Sequence, residues 1–198
     1  MAGEGSDGSR VWRSADGGKS YVTRNCPLQI DCLEIIGDDE LLAGAFDGRC
    51  GVILRSQNAG RSYTYSIAGE APIYSLAVAP GSAGWNILTG DFAGGVYYSE
   101  NAGVNFCRLS GTDKLSGAIS VSFDNAFSEN NRIFAASDFP GEGIYSAKVS
   151  SEIDWKRLEL EDEQVQSRMG CLVVAENGLV YAADLQPLKL EADRGKVM

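Results

Sequence analysis

No histidine occurs among the 198 residues, so Ser-His and Cys-His nucleophile pairs and the commonest zinc ligand are excluded. Acid/base chemistry falls to the carboxylates. Asp47, Asp91, Asp138 and Asp184 stand at the ends of four predicted strands, one in each repeat unit described below. Together they could hold cations, sugar hydroxyls or a basic partner, and they are the ligand-binding candidates. The plainer alternative is that Asp favours strand-to-turn junctions, here beside Gly48 and Gly94; the four also do not occupy identical repeat positions. For glycoside hydrolysis two carboxyl groups must face one bond, about 5–5.5 Å apart for retention or about 6.5–9.5 Å for inversion. Asp and Glu number 27, which supplies acids without defining a pair. No residue is assigned a catalytic or metal-binding role, and no cofactor is called for.

Lys and Arg number 17, giving a formal charge of −10, which repels a phosphate backbone and argues against a nucleic-acid partner. The acidic residues between Glu152 and Glu163 could dock a basic partner, although charge runs are usually solvated. Tyr63, Tyr65, Tyr97 and Tyr98 could stack on sugars, although tyrosines in strands usually pack between sheets. The longest apolar runs, such as 73–80, are too short to span a bilayer, and membrane insertion is not expected. The polar start lacks the basic and apolar regions of a signal peptide and reads as a flexible leader over 1–8. Residues 187–198 read as a charged tail. Five cysteines without a CxxC leave the compartment open.

Glycine contributes 24 residues, well above the roughly 7% of average proteins, so the chain turns often. The turns repeat. Ser14-Ala-Asp16-Gly-Gly18-Lys-Ser20-Tyr21, Ser56-Gln-Asn58-Ala-Gly60-Arg-Ser62-Tyr63 and Ser99-Glu-Asn101-Ala-Gly103-Val-Asn105-Phe106 share one pattern, and an eroded copy runs from Ser146 to Trp155. They begin 42, 43 and 47 residues apart, the length of a four-stranded propeller blade. Asp or Asn at the third position accepts backbone N–H bonds, Gly permits positive φ, and the final aromatic plugs the turn from beneath. Tyr21, Tyr63, Phe106 and Trp155 are therefore expected to be largely buried.

These motifs resemble the Asp-box, or bacterial neuraminidase repeat, of sialidases, xyloglucan-cleaving hydrolases, sortilin-type receptors and a photosystem II assembly factor. The resemblance implies an all-β propeller over 9–186, with the boxes as structural turns away from the ligand face, and an extracellular or cell-surface setting. Sialidases of the family carry an arginine triad and a Tyr nucleophile. Their F-R-I-P motif is missing, and Arg13 and Arg55 sit at equivalent places before their boxes, as salt-bridging or snorkelling residues would.

Alternating runs predict sixteen strands: inner strands at 30–36, 73–78, 118–123 and 170–175; second strands at 40–45, 85–91, 132–137 and 179–184; third strands at 10–14, 51–56, 95–99 and 143–147; outer strands at 20–24, 62–67, 105–110 and 154–160. The chain thus starts with an outer half-blade and finishes with an inner one. Pairing of 10–14 with 179–184 would close a ring of four blades; the alternative is a segment of a larger propeller with open edges. The functional expectation is a non-catalytic recognition or scaffold module that binds a protein or carbohydrate on its channel face. The alternative is a glycoside hydrolase of xyloglucanase type, less readily a sialidase, or part of one.

Overall fold

The computed structural model describes residues 8–159 and 167–185; the tail at 187–198 and all of the leader but Gly8 fall outside them. Sixteen strands are found among the described residues. An outer pair, β1 (Arg10–Arg13) and β2 (Val22–Asn25), precedes three four-stranded antiparallel sheets. The first comprises β3 (Ile30–Ile35), β4 (Leu41–Phe46), β5 (Gly51–Ser56) and β6 (Thr64–Gly69); the second, β7 (Ile73–Gly81), β8 (Gly84–Asp91), β9 (Val96–Ser99) and β10 (Cys107–Arg108). The third comprises β11 (Ile119–Phe123), β12 (Arg132–Ser137), β13 (Ile144–Lys148) and β14 (Lys156–Arg157), and an inner pair follows, β15 (Met169–Val174) and β16 (Val180–Asp184). A 3-10 turn at Thr112–Lys114 and a single helical turn, α1 (Phe127–Asn130), fill two connections that alternation could not reveal.

Alternation in each strand sends apolar side chains to both faces of a blade, so the core lies between blades rather than at one centre. Ile36, Leu42 and Ile53 meet Ile73, Leu76 and Ile87 across one interface. Leu88, Val96 and Leu109 meet Ile119, Val121 and Trp155 across the next. Burying each Leu or Ile contributes about 1.5–3 kcal/mol, and the interfaces therefore dominate stability. Polar links add register: the Ser75 hydroxyl donates to Ile119 O at 2.7 Å and accepts from Val121 N at 3.0 Å, tying neighbouring inner strands.

The three repeated turns close on the same hydrogen bonds. The serine hydroxyl accepts from the glycine N–H four residues on, at 2.8, 2.8 and 2.9 Å for Ser14, Ser56 and Ser99. Asp16, Asn58 and Asn101 accept from the backbone N–H four residues on, at 2.9, 2.9 and 3.0 Å. The Ser20 hydroxyl is the largest of several donors that hold the Asp16 carboxyl down at about 2, from an ordinary 3.8. A depressed carboxyl stabilises the fold above its unfolded value and loses that contribution as pH falls through the folded one. Asp16→Asn keeps the acceptor, as Asn58 and Asn101 do. Melting temperatures taken at pH 5, 3 and 2 should therefore fall less steeply for this variant than for the wild type.

One expected burial fails. Trp155 is buried and donates from Nε1 to Ser110 O at 3.0 Å, and Tyr63 and Phe106 are half-buried, but Tyr21 is 57% exposed. The turn itself does not hide the ring. Each ring packs against the preceding blade, as Tyr63 does beside Cys26, and among the described residues no blade lies before β1 and β2. The Tyr63 hydroxyl is buried without a partner, and the equivalent position 106 is Phe. Tyr63→Phe should leave stability unchanged or raise it by about 1 kcal/mol in urea unfolding, since only an unsatisfied group is removed.

The ring of four does not close. β1 pairs with β2 and β16 with β15, in separate sheets, and no pairing joins 10–14 to 179–184. The described chain is an open arc of propeller.

Candidate functional site

The loops entering inner strands and those joining second to third strands lie on one face, opposite the repeated turns, because successive strands reverse direction. They are stitched together by backbone bonds: Phe92 N to Pro72 O at 3.0 Å, Gly94 N to Gly117 O at 2.9 Å, Gly141 N to Ser167 O at 3.0 Å and Leu185 N to Arg168 O at 2.8 Å. Such loops form a stiff platform.

The four candidate aspartates all reach this face, and each is engaged in holding it. Asp47, exposed, accepts from Arg49 N at 2.8 Å and Cys50 N at 2.7 Å; these bonds, Cys50 first, lower its pKa. Asp91 is 1% exposed and accepts from Ala93 N, Gly95 N and the Tyr97 hydroxyl at 2.8, 2.7 and 3.1 Å. The same Tyr97 oxygen accepts from Glu70 N at 3.1 Å, and burial raises its pKa. Asp138 accepts from Ala118 N at 2.7 Å and pairs with Arg168 Nη2 at 3.2 Å. Asp184 accepts from Arg168 N at 3.2 Å. Each carboxylate satisfies turn donors that would otherwise be orphaned.

What these turns present is apolar. Strand register places Phe46, Phe92, Phe139 and Leu185 at one repeat position, the residue after the last bridge partner Ala45, Asp91 or Asp184 and its equivalent Asp138. The last three are 45, 50 and 48% exposed. Tyr74 braces Phe92 edge-on, with ring centroids 4.9 Å apart at 71°. Between the first two blades Leu28, Gln29, Asp31, Phe46, Asp47, Pro72 and Phe92 line a hollow of about 550 Å³. In it, burial raises the pKa of Asp31 while backbone donors lower that of Asp47.

The sequence reading had the aspartates and missed the side chains beside them. The signal was present as Asp-Phe, Asp-Phe and Asp-Leu at 91–92, 138–139 and 184–185, with Phe46 at the same interval. It surfaces only when second strands are aligned, because Asp47 lies two residues beyond the equivalent of Asp91. Elsewhere the reading of Arg13 and Arg55 as ion-pairing residues holds. Arg13 meets Asp39 at 3.0 Å, and Arg55 Nε meets Glu40 at 2.6 Å while Nη1 bonds Ala102 O of the next blade at 3.0 Å. Tyr97 and Tyr98 pack between blades, whereas Tyr65 is 67% exposed.

Comparison with solved structures decides the fold. An ancestral GH74 enzyme superposes with TM-score 0.65 at 20% identity, over 90% of this chain and 25% of that one. The chain is a β-propeller segment. YCF48 bound to D1 peptide matches with TM-score 0.62 at 14% identity, over 88% of this chain and 54% of that one. NanB sialidase from Streptococcus pneumoniae matches with TM-score 0.59 at 12% identity, over 86% of this chain and 31% of that one. The segment thus spans between a quarter and about half the length of these three propellers. No protein-family model and no curated protein matches the sequence. Among the described residues no helix is long and apolar enough to cross a membrane, and all five cysteines are unpaired thiols.

Proposed function

We propose that the segment is a non-catalytic recognition module of Asp-box type that binds a protein partner through an extended apolar and basic stretch laid across the channel face. The carrying observation is the in-register row of Phe46, Phe92, Phe139 and Leu185 on a platform pinned by backbone bonds. Exposed aromatic side chains on rigid loops are the anchors that dominate protein interfaces. Carboxylates of Asp31 and Asp47 flank the row and favour Lys or Arg beside the apolar anchors, in keeping with the charge of −10. A propeller that matches this fold was solved with a peptide bound, which supports a protein ligand. Selection from a random peptide library tests the reading. Enriched peptides should combine aromatic or aliphatic residues with Lys or Arg, and enrichment of acidic or purely polar peptides, or none, would contradict it.

A second reading, glycoside hydrolysis, draws on Asp31 and Asp47. Two carboxylates in one hollow with pKa values pushed in opposite directions are the pattern that assigns acid and base roles. Turnover of a β-glucan that disappears in Asp31→Asn would select it over the binding module.

A further inference from the structure

The hollow between the first two blades differs from the rest of the channel face in what a β-bulge aims into it. In β3 the register passes from Ile30 opposite Ala45 to Cys32 opposite Gly44, and in β7 from Ile73 opposite Asp91 to Ser75 opposite Gly90. Asp31 and Tyr74 are therefore the extra residues of equivalent bulges; β11 has none, its register running on from Ile119 opposite Ser137 without a shift. A bulge turns its extra side chain out of the ladder and re-aims it. In the second blade that side chain is the ring that braces Phe92. In the first blade a carboxylate stands in its place and lines the hollow with Phe46.

Asp31 has nothing to hold. Among the described residues no hydrogen bond or ion pair reaches it, whereas Asp91, Asp138 and Asp184 are taken by turn donors. Asp47 shares the hollow and accepts both of its backbone bonds, from Arg49 N and Cys50 N, on Oδ1, which keeps Oδ2 for another donor. Arg49, the neighbouring cation, does not line the hollow and forms no ion pair with either carboxylate among the described residues. Phe46, Phe92, Leu28 and Pro72 supply apolar walls, and the volume of about 550 Å³ lies in the range of ligand pockets. Burial raises the pKa of Asp31, as expected of a carboxylate that is losing water and has no counter-charge. Both blades that form the hollow are whole four-stranded sheets.

We propose that this hollow receives one arginine side chain of the protein partner, its guanidinium laid against the Phe46 ring and bonded to Asp31, with Asp47 as the second negative group. The inference rests on the channel-face reading and names the partner residue that this end of the row selects. Arginine suits the hollow better than lysine. A planar guanidinium stacks on a ring, carries five donors in a fork that can engage two carboxylates at once, and gives up water more readily than an ammonium. Asp138 and Asp184, spent on turn donors, leave Phe139 and Leu185 to apolar side chains of the partner.

N-acetyl-arginine amide titrated into the chain should shift the backbone amide resonances of residues 29–31 and 46–48 in nitrogen-15 correlation spectra. The neutral N-acetyl-citrulline amide should leave them in place, and N-acetyl-lysine amide should bind about fivefold more weakly. An equal response to arginine and citrulline, or shifts centred elsewhere, would overturn the pocket, and lysine bound as tightly as arginine would overturn the choice of side chain. These comparisons use the wild type and stand whether or not a variant folds. With a library-selected peptide, one Arg→citrulline replacement should weaken binding about tenfold to the wild type and at most about twofold to Asp31→Asn. A peptide that still loses affinity in Phe92→Ala and Phe139→Ala but keeps it in Asp31→Asn would overturn this inference and leave the channel-face reading standing. A peptide indifferent to both rings would overturn the reading itself.

Discussion

Gly90→Ala is expected to lower the free energy of unfolding by about 3 kcal/mol or more in urea titration, one of the largest effects of any single methyl group in this chain. Gly90 lies in β8 where the next blade passes closest. A Cβ there would stand 2.0 Å from Ile119 O, 2.9 Å from Ile119 C and 3.0 Å from Ile119 Cβ. The obstructing atoms are backbone and cannot swing aside. Ile119 O is also held by the Ser75 hydroxyl, and Ile119 itself is fully buried in β11. Relief would require separating two inner strands, and with them the interface that carries Leu88, Val121 and Trp155. Gly17 is the control: its φ is +72°, yet nothing lies within 4 Å of an added Cβ. Gly17→Ala should cost only the left-handed penalty of about 1–2 kcal/mol. Equal losses at the two sites would remove close blade packing as the source of stability.

The second large effect is on binding. With a library-selected peptide as probe, Phe92→Ala and Phe139→Ala should each weaken binding about 30-fold in calorimetric titration, equivalent to about 2 kcal/mol for a truncated anchor. The double variant should lose more than about 100-fold. Thermal stability should scarcely change, since about half of each side chain is already in water (45 and 50% exposed) and little apolar burial is forfeited. Asp91→Asn should behave in the opposite way. Its carboxylate is buried under three donors, so the change disturbs the turn before it disturbs a ligand.

Blade architecture was legible because its cause is local. A serine, an Asx, a glycine and a ring at fixed spacing dictate a turn whichever blade they occupy, and the hydrogen bonds of Ser14, Ser56 and Ser99 repeat within 0.1 Å of one another. The second strand 132–137 and the third strand 51–56 fall where alternation puts them. Two things escaped, for one reason: burial in a propeller is conferred by the neighbouring blade. Tyr21 has the same motif as Tyr63 and lacks, among the described residues, only a blade to lie against, so nothing local distinguishes them. Ring closure likewise depends on which sheets lie side by side, which no single motif spacing encodes. At the candidate site, residue type drew attention to charged Asp91 and Asp138 and away from their neighbours Phe92 and Phe139. Hydrogen bonding reverses that emphasis, since the carboxylates are occupied by turn N–H groups and the rings are not.

Hydrogen exchange of the segment with and without the selected peptide tests the central claim most directly, because it reports the bound face without presuming an anchor. Channel-face recognition predicts slowed exchange in the turns around Phe46, Phe92 and Phe139, and no change in the turns at 14–21, 56–63 and 99–106 on the opposite face. Protection confined to the repeated turns, with the channel face unaltered, would contradict it.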